Sequence, residues 1–181
     1  MKPFKVLTVP LIVLISFSLT GCSGGSGKKA DSPVAEAVTR ETTTEETQLS
    51  PAELGQKIGD IYIKAMTDLV SLLKERPAAL EVKSEVEVMK EAYVQELYAL
   101  GKKRESLDDS ARSAVDSQIA RKARILNDMP EFNAFNDLQQ YYFQDRDFHK
   151  LIMSFNIITQ YAAFDLLKKQ EPEEAARLGI Q

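Results

Sequence analysis

Histidine and cysteine are nearly absent from this chain of 181 residues, which contains one of each, His149 and Cys22. A single cysteine cannot form a disulfide within the chain, so stability must come from buried apolar area. A single histidine excludes a two-histidine zinc site and the paired Glu-x-x-His pattern of di-iron bundles within one chain. The sequence also lacks a glycine-rich phosphate loop, a Gly-x-Ser-x-Gly elbow and a Cys-His pair. We therefore expect no metal and no cofactor.

Positive charge is also in short supply, because 23 basic residues face 27 acidic ones for a net charge of −4. An acidic protein gains nothing from a phosphate backbone or an anionic lipid surface, so we expect no nucleic-acid partner. One local region is basic, and four nearby acids reduce its charge to +3; it either contacts anionic headgroups or an acidic partner, or is a soluble turn. Its members are Lys102, Lys103, Arg104, Arg112, Arg121, Lys122 and Arg124.

The N-terminus has the parts of a secretory signal peptide. Lys2 and Lys5 give a basic start, and residues 6–19 are almost wholly apolar. A basic start, a short apolar core and small residues at the cut define such a signal. The apolar run is 14 residues long and contains Pro10, whereas a helix that crosses a bilayer needs about 20 apolar residues. A cleaved signal is therefore expected in place of a membrane span.

Leu19-Thr20-Gly21-Cys22 closes this run and resembles the lipobox of bacterial lipoproteins at every position. The resemblance implies cleavage between Gly21 and Cys22, a diacylglyceryl group on the Cys22 thiol and acylation of the new amine. Two or three acyl chains give stable anchoring, at about 0.8 kcal/mol per buried methylene. The protein would then be exported and held at the membrane, and Ser23 is compatible with the periplasmic side of the outer membrane in an organism with two membranes.

The chain is predicted to have three parts: a signal peptide at 1–21, the lipidated Cys22 with a disordered tether at 22–50, and a helical domain at 51–181. The tether begins with glycine and serine and continues with threonine, glutamate and alanine, so it cannot bury enough surface to offset its ordering entropy. Residues 23–49 would reach roughly 30 Å root-mean-square. Loss of Lys2 and Lys5 with the signal leaves 21 basic against 27 acidic residues, a net charge of −6.

From residue 51 onward, apolar residues recur at helical spacing. Ser50-Pro51-Ala52-Glu53 is a capping box with proline at the first helical position. A second helix follows Arg76-Pro77, with Gly101 as a candidate C-terminal cap. Gly55 and Gly59 form a small-xxx-small pair; within a membrane this would favour dimerisation, but the charged neighbours of the pair favour close packing of another helix.

The rest of the chain predicts further helices, and the fold class is all-α. A third helix spans about Leu107 to Leu126, a fourth opens at Asp128-Met129-Pro130-Glu131, and Asp145 caps a fifth that continues to about Lys169. A short final turn ends at Gly179. The short connections favour antiparallel neighbours. We therefore expect an antiparallel bundle of four to five helices.

Residues suited to catalysis are few. Asp145 and His149 lie four apart and could share a helix face as an acid–base pair; the alternative is a helix-start aspartate beside a boundary histidine. A group of glutamates on the second helix is interleaved with Lys83 and Lys90, as on a solvated face with charge pairs. The group comprises Glu81, Glu85, Glu87 and Glu91. We expect no enzymatic activity.

Aromatic residues are concentrated late in the chain, where nine of the 14 phenylalanines and tyrosines lie within the 33 positions 132–164. Helical spacing predicts that most belong to the core. Tyr141, Tyr142 and Phe143 are consecutive, however, and cannot all point inward from one helix. At least one must face another helix, a ligand or a partner, because tyrosine suits half-buried contacts. These three residues are the predicted partner surface.

The functional expectation is a membrane-anchored lipoprotein of the bacterial cell envelope. Its helical domain would bind a protein partner or serve envelope assembly without catalysis. The alternative is a carrier that encloses a lipid or another apolar ligand inside the bundle.

Overall fold

The computed structural model describes residues 49–181, so the predictions for the signal peptide, for Gly21 and Cys22, and for nearly all of the tether lie outside the described residues. Within that range the fold is all-α, as predicted, and contains no strand. The predicted count of four to five helices is not confirmed. The elements are α1 (Pro51–Leu73), α2 (Ala79–Glu105), α3 (Asp109–Asn127), α4 (Pro130–Tyr141), α5 (Arg146–Met153), a 3₁₀ helix (Ser154–Ala162), α6 (Phe164–Gln170) and α7 (Pro172–Arg177).

Side-chain caps begin three of these helices, at Ser50 and Asp145 as predicted and at Asp108 for α3, which starts at Asp109, two residues after the predicted Leu107. The Ser50 hydroxyl accepts a hydrogen bond from the Glu53 backbone N–H at 3.3 Å, and the Glu53 carboxylate accepts one from the Ser50 N–H at 2.8 Å. The Asp108 carboxylate caps α3 through the Ala111 N–H, and the Asp145 carboxylate caps α5 through the Phe148 N–H. Each cap satisfies a donor that helix geometry leaves unpaired.

Two local predictions are wrong. Asp128 does not cap α4, whose N-cap is Met129 without a side-chain hydrogen bond; Asp128 is instead the residue that ends α3. Gly101 does not end α2, which continues to Glu105. A Cβ atom at Gly101 would lie 2.5 Å from Cε1 of Phe164 and 3.0 Å from Cα of Ala162. Glycine is required there because the end of the 3₁₀ helix and the start of α6 pack directly on α2.

Helix α1 is the centre of the domain, and it contacts α2, α3, α4 and the 3₁₀ helix. Its buried face includes Ile58, Met66 and Leu69, none of which is exposed. The close packing predicted for Gly55 and Gly59 is confirmed, because Gly55 lies against Val115 and Gly59 against the Lys122 side chain of α3. Helix α3 therefore runs in the same direction as α1, and the two backbones approach closely at the glycines. Only Val115 and Leu126 of α3 are buried.

The predicted fifth helix is divided into three elements. Helix α5 gives way at Ser154 to a 3₁₀ helix of nine residues, longer than the usual three or four. The helix then breaks at Ala163, where φ is −129° and ψ is 81°, and α6 follows. The break directs Phe164 toward α2, where its ring stacks on Tyr98 at 5.5 Å. Gly179, with φ of +70°, follows the final helix as predicted.

No helix among residues 49–181 is both long enough and apolar enough to cross a membrane.

Candidate interaction surface

The three consecutive aromatic residues at the end of α4 divide between surface and core. Tyr141 is 50% exposed and Phe143 is 63% exposed, whereas Tyr142 is only 5% exposed. The structure thus places two of the three predicted partner-surface residues outward and one inward. The two exposed rings are among the largest apolar side chains that the described part of the chain presents to solvent.

Tyr142 holds together two connections that are far apart in sequence. Its hydroxyl donates a hydrogen bond of 2.8 Å to the backbone carbonyl of Pro77, in the connection between α1 and α2. Its ring makes an edge contact with Phe148 of α5, with the centroids 4.8 Å apart. The phenol is protonated at neutral pH and can donate, and burial raises its pKa above the ordinary value. Tyr142 is therefore a positioning residue for the exposed rings on either side.

Arg76 lies in the same connection and stacks on one of those rings. Its guanidinium carbon is 4.9 Å from the centroid of the Tyr141 ring. Its backbone has φ of +53°, and its N–H donates to the Leu73 carbonyl at the end of α1. This left-handed position after a helix usually belongs to glycine. Within residues 49–181 the guanidinium makes no ion pair and no hydrogen bond, so its N–H donors remain available.

We call Arg76, Tyr141 and Phe143 together the aromatic surface; Arg76 contacts Tyr141, and Phe143 follows Tyr141 by two residues and contacts His149. Two shallow grooves meet at Arg76. One has a volume of about 320 Å³ and is lined by Arg76, Asp137, Gln140 and Tyr141. The other has about 120 Å³, lies between the end of α1 and α4, and adds Lys74 to the lining. The lining therefore combines two cations, one carboxylate and an exposed aromatic ring.

His149 extends the aromatic surface along α5 and does not form an acid–base pair. Its ring makes an edge contact with Phe143, with the centroids 5.5 Å apart. The Asp145 carboxylate is occupied by the α5 cap, and the described residues show no hydrogen bond between it and the His149 ring. Residues 49–181 also contain no group of three or more His, Cys, Asp and Glu side chains arranged to hold a metal ion.

The basic region predicted from the sequence is partly neutralised by partners. Arg104 is buried and bonds both oxygens of Asp116, at 3.0 and 2.9 Å. Arg112 approaches Glu105 and Asp109, and Lys122 pairs with Asp60 of α1 at 2.5 Å. These ion pairs connect α2, α3 and α1, so three of the seven cations of the region serve the packing of helices.

A third groove, of about 320 Å³, lies between α2, α5, the 3₁₀ helix and α7. Burial lowers the pKa of Lys90, whose ammonium lies 5.9 Å from the Tyr161 ring centroid. The Tyr161 hydroxyl donates to Glu174 at 3.0 Å, and Arg177 bridges Glu174 and Glu91. The contacts among Tyr161, Glu174, Arg177 and Glu91 thus fasten α7 to the 3₁₀ helix and to α2.

Reasoning from the sequence located Tyr141, Tyr142 and Phe143 but missed Arg76. The one available signal was Pro77, because the residue before a proline is disfavoured in the helical region. That signal predicts the end of α1, and it contains no information about the stacking of Arg76 on a ring 65 residues later.

Comparisons of the chain with protein-family models, with curated proteins and with solved structures found no match.

Proposed function

We propose that this protein is a membrane-anchored lipoprotein of the bacterial cell envelope, exported and held by acyl chains on Cys22. Its helical domain, arranged as a bundle in which consecutive long helices run antiparallel, α1 and α3 run parallel and the broken segment from α5 to α6 is one member, binds a protein partner or serves envelope assembly without catalysis. The observation that carries the proposal is the aromatic surface, in which exposed Tyr141 and Phe143 flank a buried tyrosine.

The composition of this surface supports protein recognition. Tyrosine and arginine are enriched among the residues that contribute most to binding at protein interfaces. Tyr141 and Phe143 are also held by defined contacts, with Arg76 and with His149, so a partner would not need to order them from many conformations. The grooves described above have charged side chains in their lining, which suits a protein contact better than an acyl chain and favours the partner-binding function over the carrier.

The anchor is tested separately from the domain. Metabolic labelling with a fatty-acid analogue should label the wild-type protein, and Cys22→Ser should abolish the label and shift the protein out of the membrane fraction. An unlabelled wild-type protein, or a Cys22→Ser variant that is processed and fractionates like wild type, would contradict the lipoprotein proposal.

Partner binding is tested by crosslinking from the membrane-bound state. A photoreactive residue placed at Phe143 should capture one specific protein, and Tyr141→Ala should abolish that product. The matched control is the same photoreactive residue at Val88, which is 69% exposed on α2. Identical products from both positions, or a product from position 143 that is insensitive to Tyr141→Ala, would contradict a role for the aromatic surface. Lipid that copurifies with the protein and is detected by mass spectrometry would favour the carrier.

A further inference from the structure

We propose that the aromatic surface binds an acidic peptide segment of its partner, with a partner carboxylate on Arg76 and a neighbouring apolar side chain on Tyr141 and Phe143. This inference rests on the proposed function and specifies the chemistry of the partner.

Arg76 is arranged to receive an acceptor from outside the domain. The guanidinium carbon lies 4.9 Å from the centroid of the Tyr141 ring, within the range of a cation–π contact. The guanidinium N–H groups have no acceptor among residues 49–181. A planar fork of donors matches the two oxygens of a carboxylate, and bidentate pairs of this kind are the stronger hydrogen bonds of proteins.

The charges around Arg76 favour an anion at this position. Lys74 and Arg76 line the two grooves with a single carboxylate, Asp137. Asp137 makes no ion pair with Arg76 in the described part of the chain, and the exposed Glu75 lines neither groove, so the three charged side chains that line the grooves sum to +1. The domain as a whole is acidic, which makes a local cationic surface the part of the molecule suited to an acidic segment.

The exposed rings account for the second half of the proposed ligand. Tyr141 and Phe143 are 50% and 63% exposed, and they lie on either side of the residue that fixes the end of α4 to the α1–α2 connection. An acidic side chain beside an apolar one would place its carboxylate on Arg76 and its apolar neighbour on a ring. The membrane is a poorer occupant, because an anionic bilayer surface would face the acidic domain over a wide area.

The experiment selects random displayed peptides against the full chain in detergent micelles. Wild type should enrich peptides with Asp or Glu next to an aromatic or aliphatic residue. For the best synthetic peptide, Arg76→Gln should weaken binding about tenfold or more, as expected for a lost charge-assisted pair. Replacement of the peptide's acid by its amide should remove the difference between wild type and Arg76→Gln. Lys57→Gln, at another exposed cation, is the matched control and should leave binding unchanged.

The outcomes separate this inference from the function on which it rests. If Arg76→Gln leaves binding unchanged while the double variant Tyr141→Ala, Phe143→Ala abolishes it, the carboxylate proposal is wrong and partner binding stands. If wild type enriches no peptide, the acidic-peptide proposal is wrong and crosslinking decides partner binding separately. If the double variant binds like wild type, the aromatic surface is not the binding site and both proposals are wrong. Binding to anionic vesicles that depends on Arg76 and exceeds peptide binding would overturn the acidic-peptide proposal in favour of a membrane.

Discussion

At the scale of single residues, Arg76 has a backbone conformation that its side chain does not favour. A left-handed conformation costs an L-residue about 1–2 kcal/mol, and a non-glycine residue is found there, with φ of +53°. Such strain persists where the surrounding structure holds it, and it often marks functional positions. Here the residue with the strained backbone, Arg76, is also the one whose side chain lies over the Tyr141 ring.

We expect Arg76→Gly to leave the free energy of unfolding within about 0.5 kcal/mol of wild type. Relief of the left-handed strain offsets the roughly 0.5–1 kcal/mol that glycine loses in conformational entropy and the loss of the cation–π contact. The matched control is Glu75→Gly, at an exposed neighbour with no positive φ, which should lower the free energy of unfolding by about 0.5–1 kcal/mol. Urea denaturation measures both, and equal losses in the two variants would show that the strain is absent.

Gly55 has the opposite role, because here the missing side chain matters. A Cβ atom at this position would lie within van der Waals contact distance of the Val115 carbonyl oxygen and 2.8 Å from Cβ of Gln118. The obstacle includes backbone, which cannot rotate away as a side-chain terminus can. Helix α3 would therefore have to move away from α1.

We expect Gly55→Ala to lower the free energy of unfolding by about 1–3 kcal/mol, the usual cost of overpacking. The sign decides between two effects, because helix propensity alone predicts a gain of about 1 kcal/mol for this change. Ser84→Ala on the exposed face of α2 is the control for propensity and should be neutral or stabilising. Chemical denaturation of both variants gives the comparison, and a stabilised Gly55→Ala would mean that α1 and α3 are not in close contact.

At the scale of elements, the starts of helices were more predictable than their interruptions. Ser50, Asp108 and Asp145 cap helices within their own four-residue segments, so local sequence is sufficient. Asp128 has the same local pattern and fails because it already ends α3. The break at Ala163 has no proline or glycine to announce it, and the apolar periodicity continues through it. The contacts of Phe164 with Tyr98 and Gly101 explain it, and these depend on tertiary packing.

The same distinction applies to the candidate site. Three adjacent aromatic residues predict that at least one ring faces outward, and this follows from helix geometry alone. Which rings face outward depends on the Pro77 carbonyl. This carbonyl accepts a hydrogen bond from the Tyr142 hydroxyl, so the middle ring of the three lies in the core. The contribution of Arg76 depends on the docking of α4 beside the end of α1, and no pattern within either segment encodes that contact.

Helix α7 is an element whose attachment should depend on pH. Burial acts to raise the pKa values of Glu91 and Glu174, but hydrogen bonds from Arg177 outweigh it in both, with help from Gln95 and Tyr161, and the pKa values lie below their ordinary range. A carboxylate with a lowered folded pKa contributes stability that is complete above its unfolded pKa of about 4.3. That contribution to the free energy of unfolding is lost as the pH falls through the pKa that the carboxylate has in the folded state.

We therefore expect α7 to loosen below about pH 4.3 before the core does. Protection of the Ala175 and Ala176 amides against hydrogen exchange should then fall relative to that of α1 amides. The expected decrease is up to about fivefold for each exposed ion pair that is lost. Arg177→Gln should lower α7 protection at pH 7 and remove most of its dependence on pH. Equal protection of α7 relative to α1 at pH 7 and pH 3.5 in wild type would contradict this attachment.

At the scale of the whole molecule, occupation of the aromatic surface should stabilise the fold. The surface joins the α1–α2 connection to the end of α4, and an unfolded chain does not present it. A ligand that binds only the folded state raises the free energy of unfolding by about 2.7 kcal/mol at a concentration one hundred times its Kd. The acidic peptide selected above should give this increase in urea denaturation, and Arg76→Gln should reduce it. An unchanged midpoint at saturating peptide would show that the peptide binds unfolded chain equally well.

The hydrogen bond between Tyr142 and Pro77 spans 65 residues of sequence, and this has a consequence for the timing of recognition. A nascent or translocating chain has both residues but has not yet brought them together. It would therefore pass its partner, and any similar acidic segment inside the cell, without being captured. Under the export and partner binding proposed above, recognition would therefore wait until the domain has folded, and the proposed partner would select folded molecules over those still in transit.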